Sequence, residues 1–225
     1  MKSQEDDSTV GQLVYERMRS DIIFAVFPPG SRLKLDPLKT TYNASVTTLR
    51  EVLNRLVSEG FVTAEGQKGF SVSEVSIAGM REVAHLRQLI ECDALRHSLE
   101  HGNLDWEGAV VAAHYKLASI EEKMINGESV DLKLWKRFDR EFHTTLISGR
   151  VSEYLLKFHN DVFDHYLRYQ MIAMGFRGRI AADEHLQLMK LSLERRADEA
   201  AAALAQHIDN GVQHALDGGP LTTAR

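Results

Sequence analysis

The sequence predicts a mainly α protein in two parts. An N-terminal winged helix-turn-helix, three helices plus a short β-hairpin, precedes an antiparallel all-α bundle of about six helices. Three observations carry this. Residues 45–61 place Leu49, Val52, Leu53, Leu56 and Val57 at the i, i+3, i+4, i+7, i+8 spacing of a helix with one buried face. Two short β-prone runs follow, separated by a turn holding Gly66, Lys68 and Gly69. From Ser76 onward every segment has helical period, and the loops between segments are short.

Residues 1–8 are polar and acidic, and an unstructured N-terminus is expected there. Residues 9–75 form the first domain. Thr9 to about Phe27 reads as a helix with Val10, Leu13, Val14, Met18 and Ile22 on one face, stopped by Pro28-Pro29-Gly30. Asp36-Pro37 reads as the N-cap and first position of a short helix ending at Tyr42. Asn43-Ala44 turns the chain into the Ser45 helix, whose Ser45 hydroxyl suits an N-cap and whose Gly60 suits a C-terminal stop. Phe61–Ala64 and Phe70–Ser73 are the two strands of the wing. Residues 76–216 form the second domain, with helices over 76–101, 105–126, 131–148, 152–174, 181–196 and 198–216. Residues 217–225 read as a frayed tail.

The polar face of the Ser45 helix is unusual for a merely solvated surface. Ser45, Thr47, Thr48, Arg50 and Asn54 gather compact donors and one guanidinium near its N-terminus, the end whose dipole attracts anions. Such an end can reach phosphates and base edges together. From the pattern alone, a DNA reader and a small helical domain with no nucleic-acid role both stand.

Composition narrows the classes. The chain has 225 residues, enough for two cores. It has no apolar run long enough to span a bilayer and no signal peptide at its N-terminus, so no membrane association and a cytoplasmic location are expected. One cysteine, Cys92, rules out an internal disulfide. The net charge is −5, and residues 8–74 carry eight Lys or Arg against seven Asp or Glu. Any DNA footprint is therefore a local patch, and a dimer is expected to supply the rest of the affinity.

The Pro28-Pro29-Gly30 turn, the TTLREVLNRLVSEGFV run and the Gly-Gln-Lys-Gly-Phe turn together resemble the winged helix of GntR-type bacterial regulators. The resemblance implies that Thr47, Thr48 and Arg50 contact double-stranded DNA and that Lys68 and Gly69 at the wing tip enter the minor groove. The chain departs from the family pattern at Val46, where Arg is common, at Thr48, where Pro is common, and at Asp36, where some members have a basic residue.

In the second domain, Asp139 and His143 are four apart in KRFDREFHTTL and project from one helix face, close to Phe138, Phe142 and Leu146. His185 and His207 lie on helices with apolar neighbours on the same side. Three imidazoles and a carboxylate suit a borderline divalent ion. Spacing alone leaves this beside blander readings, a surface Asp–His pair and satisfied core histidines. The runs DREFH, DEHLQLM and AQHI also resemble the ligand motifs of the FadR-type C-terminal ligand-binding domain, a subfamily within the GntR-type regulators. That resemblance implies a divalent metal, zinc first with nickel or manganese as alternatives, on Asp139, His143, His185 and His207. It also implies a pocket above the metal for a small carboxylate effector. Arg87, Glu91 and Arg168 are the candidate effector-binding residues, set against an exposed Arg87–Glu91 helix pair. His159 and His165 fall outside the motif.

The resemblance thus implies a homodimeric transcriptional regulator, most often a repressor, on a palindromic operator, with no catalytic residue. Two other classes compete. One is a metal-dependent hydrolase with Glu184 or Glu141 as base. The other is a metal sensor with no organic effector.

Overall fold

A computed structural model describes residues 10–64, 66, 69–150, 152–173 and 175–218. The chain divides into two compact units, Met1–Ser76 and Ile77–Arg225. The expected unstructured start (residues 1–8) and Lys68 lie outside the described residues, as does the tail beyond residue 218.

The first unit holds α1 (Val10–Ile23), β1 (Arg32–Leu33), α2 (Leu35–Tyr42), α3 (Val46–Ser58), β2 (Val62–Ala64) and β3 (Phe70–Val72). α1 stops at Ile23, four residues before Phe27, and it buries Val14, Tyr15, Met18, Ile22 and Ile23. Val10 and Leu13 are exposed, so the buried stripe is narrower at its N-terminal end than the sequence implied. α2 begins at Leu35 with Lys34 as N-cap, which places Asp36 inside the first turn, where a carboxylate still complements the dipole. α3 follows the reading closely. The Ser45 hydroxyl accepts from the Thr48 N–H at 3.1 Å, and Leu49, Val52, Leu53 and Leu56 are buried. At its end the Phe61 N–H donates to the Leu56 carbonyl and Gly60 sits at φ +79, the left-handed stop that glycine adopts without steric cost.

The wing has three strands, in the order β1-β3-β2, where two were expected. β1 pairs with β3 through Arg32–Ser71 and Leu33–Phe70. Gly30 sits in the turn just before it, at φ +72, where a Cβ would lie 2.2 Å from a Glu74 carboxylate oxygen. Two residues are too few to show an alternating pattern, so β1 was not readable from sequence. Three side-chain contacts tie α3 to α1. The Arg55 guanidinium lies 3.4 Å from the Tyr15 ring centroid, and Tyr15 and Arg19 both donate to Glu59.

The second unit is a bundle of six helices among the described residues: α4 (Ile77–His101), α5 (Leu104–Ile125), α6 (Leu132–Leu146), α7 (Glu153–Ala173), α8 (Arg179–Leu193) and α9 (Ala197–Gly218). α4 packs on α7 and α9, α5 on α6 and α8, and α8 on α9. Asn103 caps α5 and Asp131 caps α6. α9 runs to Gly218, two residues into the stretch read as a frayed tail. α6 carries the sharpest stripe, burying Trp135, Lys136, Asp139, Phe142, His143 and Leu146. That stripe turns an acid, an imidazole and an ammonium into the bundle.

Candidate functional site

In the first unit, Ser45, Thr47, Arg50 and Asn54 are exposed along α3, and Thr48 is half-buried. The Ser45 and Thr48 hydroxyls lie 2.9 Å apart, so both belong to the cap. Arg50 and Asn54 are one turn apart on the outward face, opposite Leu49 and Leu53. Gly69 lies at φ +89 with open space around it. The face thus offers hydroxyls, an amide and a guanidinium at a helix N-terminus, an arrangement able to meet phosphates and base edges.

In the bundle, His143 from α6, His185 from α8 and His207 from α9 meet, with one ligand nitrogen of each within 4.8 Å of the others. Asp139, one turn before His143, places Oδ1 3.9 Å from His143 Nε2 and 3.6 Å from His185 Nε2. All four side chains are buried. The surface Asp–His pair is therefore excluded, and three helices distant in sequence supply one constellation.

The second ring nitrogens explain its orientation. His143 Nδ1 faces Glu91 at 3.2 Å, His185 Nδ1 faces Glu121 at 3.0 Å, and His207 Nδ1 faces Glu184 at 2.7 Å. An ionised carboxylate only accepts, so each Nδ1 donates and the lone pair is left on Nε2. The Nε2 atoms of His143 and His185 are buried with no hydrogen-bond partner. Buried polar atoms are nearly always paired. Imidazoles held from behind by carboxylates, with orphaned nitrogens converging beside a carboxylate, fit a divalent metal through Asp139, His143, His185 and His207.

Cations balance the acids. Arg87 donates to Glu91 from Nε at 2.5 Å, and His159 Nε2 lies 2.9 Å from the same carboxylate. Burial works to raise the Glu91 carboxyl, but Arg87 and the two imidazoles outweigh it and hold Glu91 well below the usual range. Lys136 donates to Asp139 Oδ2 at 3.3 Å and to Gln170 Oε1 at 3.1 Å. Burial depresses the Lys136 ammonium, whereas Asp139 is held low by Lys136 and the neighbouring imidazoles against the cost of its own burial. Burial also pushes His207 down to about 3, aided by the other two imidazoles. All three histidines thus present neutral rings at neutral pH only where the shift is downward, as it is for His143 and His207.

Arg87 and Glu91 pair as the sequence alternative held, but in the core and not on the surface. The Arg87 guanidinium is 1 % exposed and lies against the Phe163 and Tyr166 rings at 4.5 and 4.7 Å. Arg168 is buried on α7. Sequence reading missed Glu121, Lys136 and Gln170, and it considered Glu184 only as a base. Glu121 lies 64 residues from its histidine, a distance at which no helical spacing operates.

The gntR family model of bacterial regulatory proteins matches residues 11–72, and the FCD domain model matches residues 82–210. The chain belongs to the gntR family of bacterial regulators and carries an FCD domain. It is a DNA-binding transcriptional regulator, and its relatives are named as regulators and not as enzymes. It is 32 % identical over 203 residues to the uncharacterized HTH-type regulator BphR of Paraburkholderia xenovorans (strain LB400), covering 89 % of this chain and 83 % of BphR. It is 28 % identical over 202 residues to the HTH-type transcriptional repressor GlaR of Escherichia coli (strain K12), covering 86 % and 90 %. The solved structure of E. coli McbR/YncC shares the fold at a TM-score of 0.78 and 17 % identity, over 93 % of this chain and 98 % of that one. The FCD regulator described here has no helix, among its described residues, long and apolar enough to cross a membrane.

Proposed function

We propose that this FCD regulator is a cytoplasmic repressor that binds a palindromic operator as a homodimer and is released by a small carboxylate metabolite bound beside a divalent metal. The observation that carries the reading is the histidine cluster: two orphaned Nε2 atoms converge beside Asp139, and each of the three rings is anchored by its own carboxylate. Zinc suits three nitrogens and one oxygen, with nickel or manganese as alternatives. Bound there, the ion would supply Lewis acidity toward an anionic ligand. Glu91, Glu121 and Glu184 fix the rings, and Lys136 holds the other Asp139 oxygen, so the site is preorganised before any ligand arrives.

DNA contact falls to Ser45, Thr47, Thr48, Arg50 and Asn54, with Lys68 and Gly69 at the wing. Two-fold association is supported by apolar residues exposed on the neighbouring helices α4 and α7. Tyr154 is 79 % and Phe158 63 % exposed, and Leu86 and Leu89 also face solvent.

The reading is tested by metal content and DNA release together. Purified protein loaded with zinc and desalted is expected to retain about one ion per chain, and His143→Ala or His185→Ala to retain almost none while still folding. A wild-type protein that keeps no ion removes the metal from the account.

A further inference from the structure

An open cavity of about 260 Å³ lies in the second unit beside the histidine cluster. It is lined by Gln170 and Ala173 of α7, Gly175 and Arg177 of the following loop, and Gly211 and His214 of α9. The walls are shaped by small residues. A Cβ at Gly211 would lie 2.3 Å from the Tyr166 hydroxyl oxygen, and one at Gly175 would lie 3.3 Å from His214 Nε2. The polar groups are a guanidinium, an imidazole and an amide.

Two of these groups are wired to the candidate metal ligands at one remove. Arg177 forks onto Glu184 at 3.0 and 2.5 Å, and Glu184 holds His207 Nδ1 at 2.7 Å and accepts from Asn210 at 2.7 Å. Gln170 accepts from Lys136, which holds Asp139. Arg87, by contrast, opens on no described cavity. Its guanidinium is sealed between two rings and fully engaged by Glu91.

We infer that Arg177, with Gln170 and His214, recognises the anionic ligand in this cavity, and that Arg87 is a structural cation. This deepens the effector reading above and rests on it. The ligand's carboxylate pairs with the Arg177 fork, competing with Glu184, while the Gln170 amide meets a neighbouring hydroxyl or carbonyl oxygen. The volume is just below the roughly 300 Å³ at which pockets for drug-sized ligands begin. The class is therefore a compact hydroxy or keto acid and excludes a long acyl chain. Because Glu184 anchors His207, a ligand that draws Arg177 away changes the support of one metal ligand. That gives the ligand a differential contact through which to bias the bundle.

The test is calorimetric titration of the zinc-loaded full-length protein with glycolate, and with acetamide as the uncharged comparison. Glycolate is expected to bind saturably in the millimolar range and acetamide not at all. Arg177→Gln is expected to weaken glycolate by about tenfold or more, the loss expected for a charge-assisted fork, with zinc content unchanged. Gln170→Glu keeps the acceptor for Lys136 but places a carboxylate in the wall, and it too must weaken glycolate. This second variant decides the matter if Arg177→Gln does not fold. Equal glycolate affinity in wild type and either folded variant overturns the inference. So does a zinc-loaded wild type that binds neither glycolate nor acetate, an outcome that leaves the metal site standing. A wild type that holds no zinc overturns the reading on which the inference rests.

Discussion

Single residues set the chemistry of this regulator, and their effects separate cleanly. Glu121 touches His185 and no DNA-facing group, so Glu121→Gln is expected to lower metal affinity by about 10–100-fold, the usual cost of losing a carboxylate behind a ligating imidazole. Competition with a chromophoric zinc chelator measures it. Arg50→Ala is expected to cost about 1–3 kcal/mol of operator affinity without changing the melting temperature, because Arg50 is exposed on α3. The pH response follows from His207. Its folded-state value is pushed from 6.5 to about 3 by burial and by the other imidazoles. An unfolded chain takes up that proton as pH falls through 6.5, whereas the folded one stays neutral until about 3. Stability of metal-free protein is therefore present above 6.5 and declines across that window. Melts of chelated protein at about pH 7.5 and about pH 5.5 should show the lower melting temperature at the acid value, with a smaller difference in His207→Gln. At this scale the sequence was half legible. Asp139 and His143 declared themselves by being four apart on one face. Glu91, Glu121 and Glu184 did not, because a carboxylate is ordinarily a surface residue and only the packing of separate helices places these three behind imidazoles. Lys136 was hidden for the same reason, since its burial depends on Asp139 and Gln170 arriving together.

At the scale of elements, α3 shows how local signals agree. Its N-cap, apolar stripe and left-handed stop all specify one helix, and the polar N-terminus is left outward because the stripe fixes the opposite face. Ser45→Ala is expected to cost about 1 kcal/mol by freeing the first-turn N–H groups. Leu53→Ala, at a fully buried position, is expected to cost about 2–5 kcal/mol. Urea unfolding of the full-length protein measures both, and equal costs would mean that the stripe does not form the core of this unit. Helix positions were legible wherever a cap or glycine marked an end. They were less so where tertiary contacts decide: α1 ends at Ile23 although nothing before Pro28 forbids helix, and the two-residue β1 exists only because β3 offers an edge.

For the whole molecule, the two units are separate in sequence and in packing, one presenting a DNA-facing helix and the other enclosing an ion site and a small polar cavity. The family assignment joins them as one regulator, and the account claims that the second unit's ligand state governs the first unit's hold on DNA. The claim stands first on specific DNA binding. The decisive measurement titrates fluorescent DNA from upstream of the protein's own gene, and unrelated DNA of equal length, with zinc-loaded protein at two salt concentrations. The account predicts discrimination of about a thousandfold or more at moderate salt, lost in Arg50→Ala. Equal weak binding to both DNAs, falling steeply with salt, would contradict it, because only phosphate contact would then remain.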